Sequence, residues 1–226
     1  MYKVNDRKKT FVVLGAGGTG SWLVPSLSKM ADNLILIDGD IVEGKNVSRQ
    51  NFFESDIGKN KAEVIGDRYG ITYVTDFIKS VEELEEILEY AINDDIVLVG
   101  CLDNNATRHL VHEIYKKRDN LIWIDSGNAE RHGQSYVAIK DNGEEIYKSP
   151  IELDEAFSVV SGDERRPDQI SCAEQSESAP QNITANVTAA STLLSLCAIV
   201  NTGGMLMGNK FSWDTRTVSA KSEELQ

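Results

Sequence analysis

A glycine-rich turn between an apolar strand and an apolar helix constrains this sequence more than any other feature. The apolar run Phe11–Leu14 predicts a buried strand, Ser21–Met30 predicts a helix, and Leu34–Ile37 predicts a second buried strand. The turn between the first strand and the helix contains four glycines: Gly15, Gly17, Gly18 and Gly20. A strand, a glycine turn, a helix and a strand in this order are typical of a βαβ unit that binds a nucleotide.

Each of these glycines has a physical reason in such a unit. Gly15 allows the tight turn, and Gly20 lets the helix pack closely against the strand. Gly17 and Gly18 let the backbone approach a phosphate, towards which the first N–H groups of the helix point. The glycines alone therefore predict a phosphate site and leave the nucleotide open.

Strands and helices continue to alternate along the next part of the chain. Further apolar runs predict strands at Ile71–Val74, Ile96–Gly100 and Leu121–Ile124. Helical periodicity predicts helices at Gly58–Arg68, Val81–Tyr90 and Thr107–Lys117. Because strands that alternate with helices form right-handed crossovers, we expect a mainly parallel, Rossmann-like sheet with helices on both faces.

Polar residues follow several of these strands. Gly15, Asp40, Asp103 and Asp125 each lie at or just beyond the end of a predicted strand. Ligands of open α/β sheets bind at the carboxyl ends of the strands. The sequence therefore predicts that these residues meet at one edge of the sheet.

The pattern changes in the last third of the chain. Ser135–Ile139 alternates like an antiparallel strand, Asn142-Gly143 predicts a turn, and Phe211–Val218 predicts a last strand. Residues 152–180 are polar and predict a long loop, and Ile183–Val200 predicts a helix suited to packing in the core or in a dimer. The fold class we predict is α/β, with an antiparallel extension of the sheet in the C-terminal third.

Composition limits the partners and the compartment. The formal net charge of -13 argues against general binding to nucleic acids or anionic membranes, and favours a basic partner. We see no signal peptide, and the apolar stretch Ala189–Val200 is too short to span a bilayer. The three cysteines form no CxxC pair, so we expect a cytoplasmic protein without a zinc site.

A set of charged and amide side chains narrows the choice of nucleotide. NAD binding would explain Asp38 or Asp40 after the second strand, but it does not require the residues that follow. Those residues are Asn46, Arg49, Lys61, Asp103 and Asn104. One acid near a ribose, two cations near phosphates and a second acid near a metal suit a nucleoside triphosphate with Mg²⁺.

These motifs resemble the ThiF/MoeB/HesA superfamily, the adenylating domains of sulfur-carrier and ubiquitin-activating enzymes. The resemblance covers residues 11–131 well and the rest weakly. Five motifs carry it in order: Gly15–Ser21, Asp38-Gly-Asp40, Asn46–Gln50, Gly58–Ala62 and Asp103-Asn104. It implies a single adenylation domain over residues 1–226, with a nucleotide-binding half at 11–131. The other half, 132–226, would supply carrier binding, a crossover loop and packing.

The resemblance also implies an activity: ATP-dependent adenylation of a carboxylate, usually the C-terminal glycine of a ubiquitin-like or sulfur-carrier protein. Asp40 would then bind the ribose hydroxyls, and Asn46, Arg49 and Lys61 the phosphates. Asp103 would hold Mg²⁺ through hard oxygen ligation. The products would be an acyl adenylate and pyrophosphate, and the step needs no protein nucleophile.

Cys172 is a further candidate, because ubiquitin-activating enzymes carry a thioester cysteine in a mobile crossover segment. Its thiol could accept the acyl group from the adenylate, or Cys172 could be an ordinary loop residue. Cys101 and Cys197 are predicted to be packing residues, and His109 and His112 a surface or partly packed pair.

The sequence departs from the family in two respects. Sulfur-carrier activators often have two CxxC pairs for zinc, which this sequence lacks. They also have an N-terminal helix whose arginine reaches the ATP of the other subunit of a dimer; Arg7 is a weak substitute for it. We expect a homodimer or a heterodimer.

Three alternatives remain open at this point: adenylation of a small-molecule or tRNA-linked carboxylate, an NAD(P)-binding oxidoreductase, and a non-catalytic partner subunit. The net charge argues against RNA. An oxidoreductase would leave Arg49, Lys61 and Asp103 without a shared purpose, and partner subunits tend to lose the phosphate-binding residues that this sequence keeps.

Overall fold

One mixed β-sheet with helices on both faces forms the centre of the protein. The computed structural model describes residues 1–91, 95–160 and 182–225. Over these ranges nine strands form the main sheet, in the order β11-β10-β7-β6-β5-β2-β3-β4, with β8 paired to β7; β1 and β9 form a separate pair. The α/β class and the mainly parallel centre with an antiparallel C-terminal part confirm the sequence prediction.

The strands and helices have the following bounds. The strands are β1 Tyr2–Lys3, β2 Lys9–Leu14, β3 Asn33–Ile37, β4 Thr72–Val74, β5 Asp95–Gly100, β6 Leu121–Asn128, β7 His132–Asp141, β8 Glu144–Tyr147, β9 Met205–Leu206, β10 Lys210–Asp214 and β11 Ser219–Glu223. The helices are α1 Gly20–Leu27, α2 Gly44–Val47, α3 Lys61–Tyr69, α4 Val81–Glu89, α5 Asn105–Lys117, α6 Pro150–Leu153, α7 Glu155–Ser158 and α8 Ile183–Asn201.

The parallel part of the sheet consists of β4, β3, β2, β5 and β6. Leu14 of β2 lies opposite Ile37 of β3 on one side and Gly100 of β5 on the other. The chain leaves β2 for β3 and later returns to place β5 on the other side of β2. A crevice therefore opens between β2 and β5 at their carboxyl ends, where ligands of such sheets bind.

The antiparallel part contains one difference from the sequence prediction. The strand predicted at Phe211–Val218 ends at Asp214, and the chain turns back so that β11 pairs with β10. Val218 adopts a φ of 52°, which places it in this turn and not in a strand. The predicted turn at Asn142-Gly143 is confirmed, since both residues have positive φ between β7 and β8.

Helix boundaries also differ from the prediction by one to three residues, most of all in α3 and α1. α3 begins at Lys61 and not at Gly58, because the side chain of Asn60 caps it by accepting a hydrogen bond from the Glu63 N–H at 3.0 Å. Gly58 precedes it with a φ of 89°. α1 ends at Leu27, with Pro25 inside it, and does not reach Met30.

Apolar side chains from the two faces of the sheet form two separate cores. Phe11 and Val13 of β2 face the core that includes side chains of α1, α3 and α8, while Val12 and Leu14 face the core under α4 and α5. Among the described residues, α8 alone has the length and composition of a membrane span, a property that core helices share. It packs against α1 and against β6 and β7, as a core helix does.

Candidate nucleotide site

The glycine turn lies at the crevice between β2 and β5. Gly15 has a φ of 99°, and a Cβ atom there would lie 2.7 Å from the carbonyl oxygen of Cys101, which follows β5. A Cβ atom on Gly20 would lie 1.9 Å from the carbonyl oxygen of Gly15. A Cβ atom on Gly17 would meet nothing within 4 Å. Gly15 and Gly20 are thus required by the fold, and Gly17 faces open space.

Asp38 supports the glycine turn from below. Its carboxylate accepts hydrogen bonds from the N–H of Ala16 at 2.5 Å and from the N–H of Asp40 at 2.7 Å. Burial raises the pKa of Asp38 to about 6; the charge of Lys61 opposes this rise and that of Asp40 adds to it. Asp38 is buried, and its hydrogen bonds fix the glycine turn and the start of the loop after β3.

Asp40 and Lys61 form an ion pair at the end of β3. The Lys61 Nζ donates to Asp40 Oδ2 at 2.7 Å, and the Lys61 N–H donates to the Asp40 carbonyl at 2.8 Å. Burial lowers the pKa of Lys61, but Asp38, Asp40 and Asp103 outweigh burial and raise the pKa above its usual value. Lys61 therefore stays protonated, with a fixed positive charge next to three carboxylates.

Arg49 lies on the loop after α2, and its backbone is held by two other helices. The Trp22 Nε1–H of α1 donates to the Arg49 carbonyl at 3.1 Å, and the Asn186 Nδ2–H of α8 donates to it at 3.4 Å. Burial lowers the pKa of Arg49 and the charge of Asp103 opposes this shift, so the two side chains interact electrostatically. Arg49, from the region between β3 and α3, and Asp103, from the loop after β5, thus belong to one site.

Asn46 and Gln50 lie on either side of Arg49 and are almost completely buried. The Asn46 Oδ1 accepts the N–H of Glu43 at 2.8 Å, so its side chain helps to close the first turn of α2. The Gln50 Oε1 is buried and has no hydrogen-bond partner among the described residues. The sequence motifs assign no role to Gln50 or Asn186. Asn186 is completely buried in α8, and this burial is visible only in the structure.

Asp103 lies in the short loop between β5 and α5, and its side chain is exposed. Aspartate is a good N-cap residue, but the cap of α5 is Asn104, whose Oδ1 accepts the Thr107 N–H at 2.8 Å. The Asn104 Nδ2–H lies 3.4 Å from Asp103 Oδ1. Because Asn104 caps the helix, the Asp103 carboxylate remains available to a ligand.

Asp103 fits a site for Mg²⁺ that is shared with a nucleotide. No group of three or more acids, histidines or cysteines that could hold a metal occurs within the described ranges. Mg²⁺ usually takes one or two protein carboxylates and completes its shell with phosphate oxygens and water. A single exposed carboxylate next to Arg49 is the donor set that such an arrangement requires.

Arg108 fixes the Asp103 loop from inside the protein. Its guanidinium forms a buried ion pair with Asp125 at 3.0 Å and donates to the Leu102 carbonyl at 2.7 Å. It also donates to the Ser126 carbonyl at 3.3 Å and lies 4.6 Å from the ring centre of Phe157. Asp125 lies within β6, opposite Gly100 of β5, because the strand predicted to end at Ile124 continues to Asn128. Asp125 therefore positions Arg108 and does not itself face the site.

Other residues singled out in the sequence lie elsewhere or outside the described part. Cys172 lies outside the described residues. His109 contacts the Ser158 carbonyl at 2.7 Å, and His112 contacts Ser149 Oγ at 2.9 Å, so both pack α6 and α7 against α5. Arg7 pairs with Asp95 at 3.0 Å, where β5 begins, at the end of the sheet opposite to the glycine turn.

The remaining two cysteines are packing residues, as predicted. Cys197 is buried in α8, and burial raises the pKa of its thiol to about 12. Cys101 packs at the edge of the same core, and both thiols are free. Neither is a candidate nucleophile, because the reactive form of a cysteine is the thiolate.

Comparison with known proteins identifies the family. The chain belongs to the ThiF family, whose sequence profile matches residues 5–221. A comparison of the sequence with curated proteins gives no significant match.

Solved structures share the fold at low sequence identity. E. coli MccB with ATP is 19% identical, with a TM-score of 0.70 over 97% of this chain and 64% of that one. The microcin C7 biosynthetic enzyme MccB with N-formylated MccA is 19% identical, with a TM-score of 0.71 over 96% and 64%. PaaA is 22% identical, with a TM-score of 0.70 over 96% and 64%. The chain thus spans less than two thirds of the length of these structures.

Proposed function

We propose that this protein binds ATP and adenylates the carboxylate at the C-terminus of a peptide or small carrier protein. One observation carries the proposal. The Asp40–Lys61 pair, the Arg49 side chain that interacts with Asp103, and the glycine turn all meet at the carboxyl edge of the sheet. A dinucleotide site would use the glycine turn and Asp40, but it would give no role to the other three charges.

The proposed roles follow from the position and charge of each side chain. Asp40 binds the ribose hydroxyls, and Gly17 leaves room for a phosphate at the start of α1. Arg49, Lys61 and Asn46 bind phosphate oxygens, and Asp103 holds Mg²⁺ together with those oxygens. Mg²⁺, when bound, neutralises negative charge on the phosphates.

The residues of the chain can assist attack by a carboxylate on the α-phosphorus without a protein nucleophile. The attacking carboxylate and the triphosphate are both anions, so their approach requires positive charge fixed in advance. Lys61 supplies this charge, because Asp38, Asp40 and Asp103 keep it protonated, and Arg49 supplies a second cation on an anchored backbone. The products are an acyl adenylate and pyrophosphate.

The substrate we propose is a polypeptide with a free C-terminal carboxylate. The microcin C7 biosynthetic enzyme MccB, which shares this fold, has been solved in complex with N-formylated MccA. A ubiquitin-like or sulfur-carrier protein presents the same group on a longer chain, and the net charge of -13 favours one with a basic surface. In a further step, the thiolate of Cys172 attacks the acyl carbon of the adenylate, so that a thioester forms and AMP leaves; the place of Cys172 in the sequence supports this step.

The test is the release of AMP-linked product from matched substrates. We expect candidate peptides or carriers with a free C-terminus to yield an adenylate detected by mass spectrometry and an equal amount of pyrophosphate. The same peptides with a C-terminal amide should yield neither, because an amide does not attack phosphorus. Tight binding of NAD together with no binding of ATP would contradict the proposal.

Transfer to Cys172 has a test of its own. If the adenylate forms and Cys172 then accepts the acyl group, a base-labile enzyme adduct appears in the wild type and its thioester is lost in Cys172→Ser. A thioester that persists in Cys172→Ser would exclude this cysteine and leave the adenylation step unaffected.

A further inference from the structure

The short helix α7 is held against the N-terminus of α5 by the side chain of Asn105. The Asn105 Nδ2 donates to the carbonyl of Ala156 at 3.0 Å and to the carbonyl of Val159 at 2.8 Å. Both carbonyls lie in or just after α7, where a helix has acceptors without intrahelical donors. The two protons of one amide group therefore hold this end of α7.

The oxygen of the same amide connects α7 to the Asp103 loop. Asn105 Oδ1 accepts from Arg108 Nη1 at 2.9 Å, and Arg108 Nη2 donates to the carbonyl of Leu102 at 2.7 Å. Leu102 immediately precedes Asp103. Three successive hydrogen bonds thus link α7, through Asn105 and Arg108, to the backbone that carries the candidate Mg²⁺ ligand.

The rest of α7 has further contacts besides those of Asn105. Phe157 lies under the Arg108 guanidinium and meets the ring of Tyr136 at 5.1 Å between ring centres. Asp154 accepts from Gln134 Nε2 at 2.8 Å and from the hydroxyl of Tyr136. Loss of the Asn105 bonds would therefore loosen the C-terminal end of α7 without detaching the helix.

We propose that Asn105 is a positioning residue that couples the docking of α7 to the placement of Asp103 for Mg²⁺. The inference rests on the proposed function, because it assumes that Asp103 holds Mg²⁺ beside ATP. Removal of a group that orients a metal ligand, without itself binding the metal, typically lowers metal affinity by about 10–100-fold. Asn105 acts in this way through Arg108.

The substitution Asn105→Asp distinguishes the hydrogen bonds that the Asn105 amide donates from the one that it accepts. An aspartate keeps an acceptor for Arg108 but cannot donate to the carbonyls of Ala156 and Val159, and its charge repels them. Asn142→Asp is the matched control, since it makes the same change of charge in the β7–β8 turn. This turn lies at the opposite end of the sheet from the glycine turn. Asn105→Gln keeps both kinds of bonding group and should restore part of the lost coupling.

Two measurements test the proposal together. Hydrogen exchange of residues 154–159 should be faster in Asn105→Asp than in the wild type and in Asn142→Asp. ATP affinity without Mg²⁺ should stay close to that of the wild type, while the gain in affinity on adding Mg²⁺ should fall about 10-fold or more. A general loss of structure would instead weaken binding equally with and without Mg²⁺.

The outcomes separate this inference from the proposed function. Unchanged exchange over residues 154–159 would show that Asn105 does not hold α7, and faster exchange with an unchanged Mg²⁺ effect would show that α7 does not influence Asp103. Either result overturns the inference and leaves the proposed function standing. A wild type that binds no ATP would contradict the proposed function and the positioning role together, and only the exchange result would then describe Asn105.

Discussion

The Nζ of Lys61 lies 2.7 Å from Oδ2 of Asp40, so the cation proposed for the phosphates is paired with the acid proposed for the ribose. The pair joins the start of α3 to the end of β3, and Lys61 is almost completely buried. Because a lysine has three donor protons, Lys61 can keep Asp40 and still bind a phosphate oxygen. The groups that bind the ribose and the phosphates would then be fixed relative to one another before the nucleotide binds.

Replacement of Lys61 should weaken ATP binding strongly. We expect Lys61→Met to raise the Kd for ATP by about 10–100-fold, since hydrogen bonds to charged groups contribute about 1.5–3 kcal/mol. The measurement is isothermal titration calorimetry of the wild type and the variant. Lys59→Met is the control, because Lys59 is exposed two residues earlier, and it should bind ATP like the wild type. Equal affinities for all three proteins would remove Lys61 from the site.

Two glycine substitutions should separate stability from nucleotide binding. Gly20→Ala would place a Cβ atom 1.9 Å from the Gly15 carbonyl oxygen, so we expect it to destabilise the fold by about 1–3 kcal/mol or more. Gly17→Ala adds a methyl group to open space, so its thermal midpoint should stay near that of the wild type while ATP affinity falls. Thermal unfolding and ATP titration of both variants check this. A Gly17→Ala protein with full ATP affinity would contradict the placement of the phosphate.

The stability of the protein should depend on pH through Asp38. The pKa of Asp38 is about 6 in the folded protein and close to 3.9 in an unfolded chain, so the folded state holds the proton more tightly. This contribution is fully present below about pH 4 and is lost as the pH rises through about 6, a change of about 3 kcal/mol.

Asp38→Asn should remove that part of the pH dependence. Urea titrations between pH 4 and pH 7 give the unfolding free energy of both proteins. As the pH rises, the wild type should lose stability relative to Asp38→Asn. Asp119→Asn, a change at an exposed carboxylate, serves as the control. Parallel profiles for the wild type and Asp38→Asn would mean that Asp38 is ionised throughout.

Loss of Arg108 should destabilise the protein through Asp125. Arg108→Met leaves the carboxylate of Asp125 buried without its partner, which typically costs about 3–5 kcal/mol. Asp125→Asn in the Arg108→Met background should recover part of this loss, since it removes the uncompensated charge. Lys117→Met, on the exposed face of α5, should change the urea midpoint little. A small effect of Arg108→Met would show that Asp125 is neutral in the folded protein.

The sequence predicted the parallel half of the fold well because local and tertiary signals agree there. Strands β2, β3 and β5 centre on apolar runs that are buried between helices on both faces of the sheet. β6 begins with such a run, Leu121–Ile124, and continues to Asn128. The hairpin β10–β11 was missed because β11 is a polar edge strand whose side chains are mostly exposed. Its pairing depends on the backbone of β10, which has no signature in the side chains of residues 219–223.

The candidate site shows the same division between local and long-range signals. The glycine turn and the acids at strand ends could be predicted, because strand ends converge in any parallel sheet. The structural roles of Asp38, Asn104 and Asn105 could not, since they depend on hydrogen bonds to backbone groups whose positions the fold determines. Asn186 contributes to the site from α8, more than a hundred residues after Arg49.

The central claim is that Arg49 and Asp103 belong to an ATP-dependent adenylation site, and ATP–pyrophosphate exchange tests it most directly. With a substrate that has a free C-terminal carboxylate, the wild type should incorporate labelled pyrophosphate into ATP. Arg49→Ala and Asp103→Ala should each lower the exchange rate by about 100-fold or more, the cost of removing one group that stabilises transition-state charge. Exchange that survives both substitutions at the wild-type rate would contradict the assignment of this site.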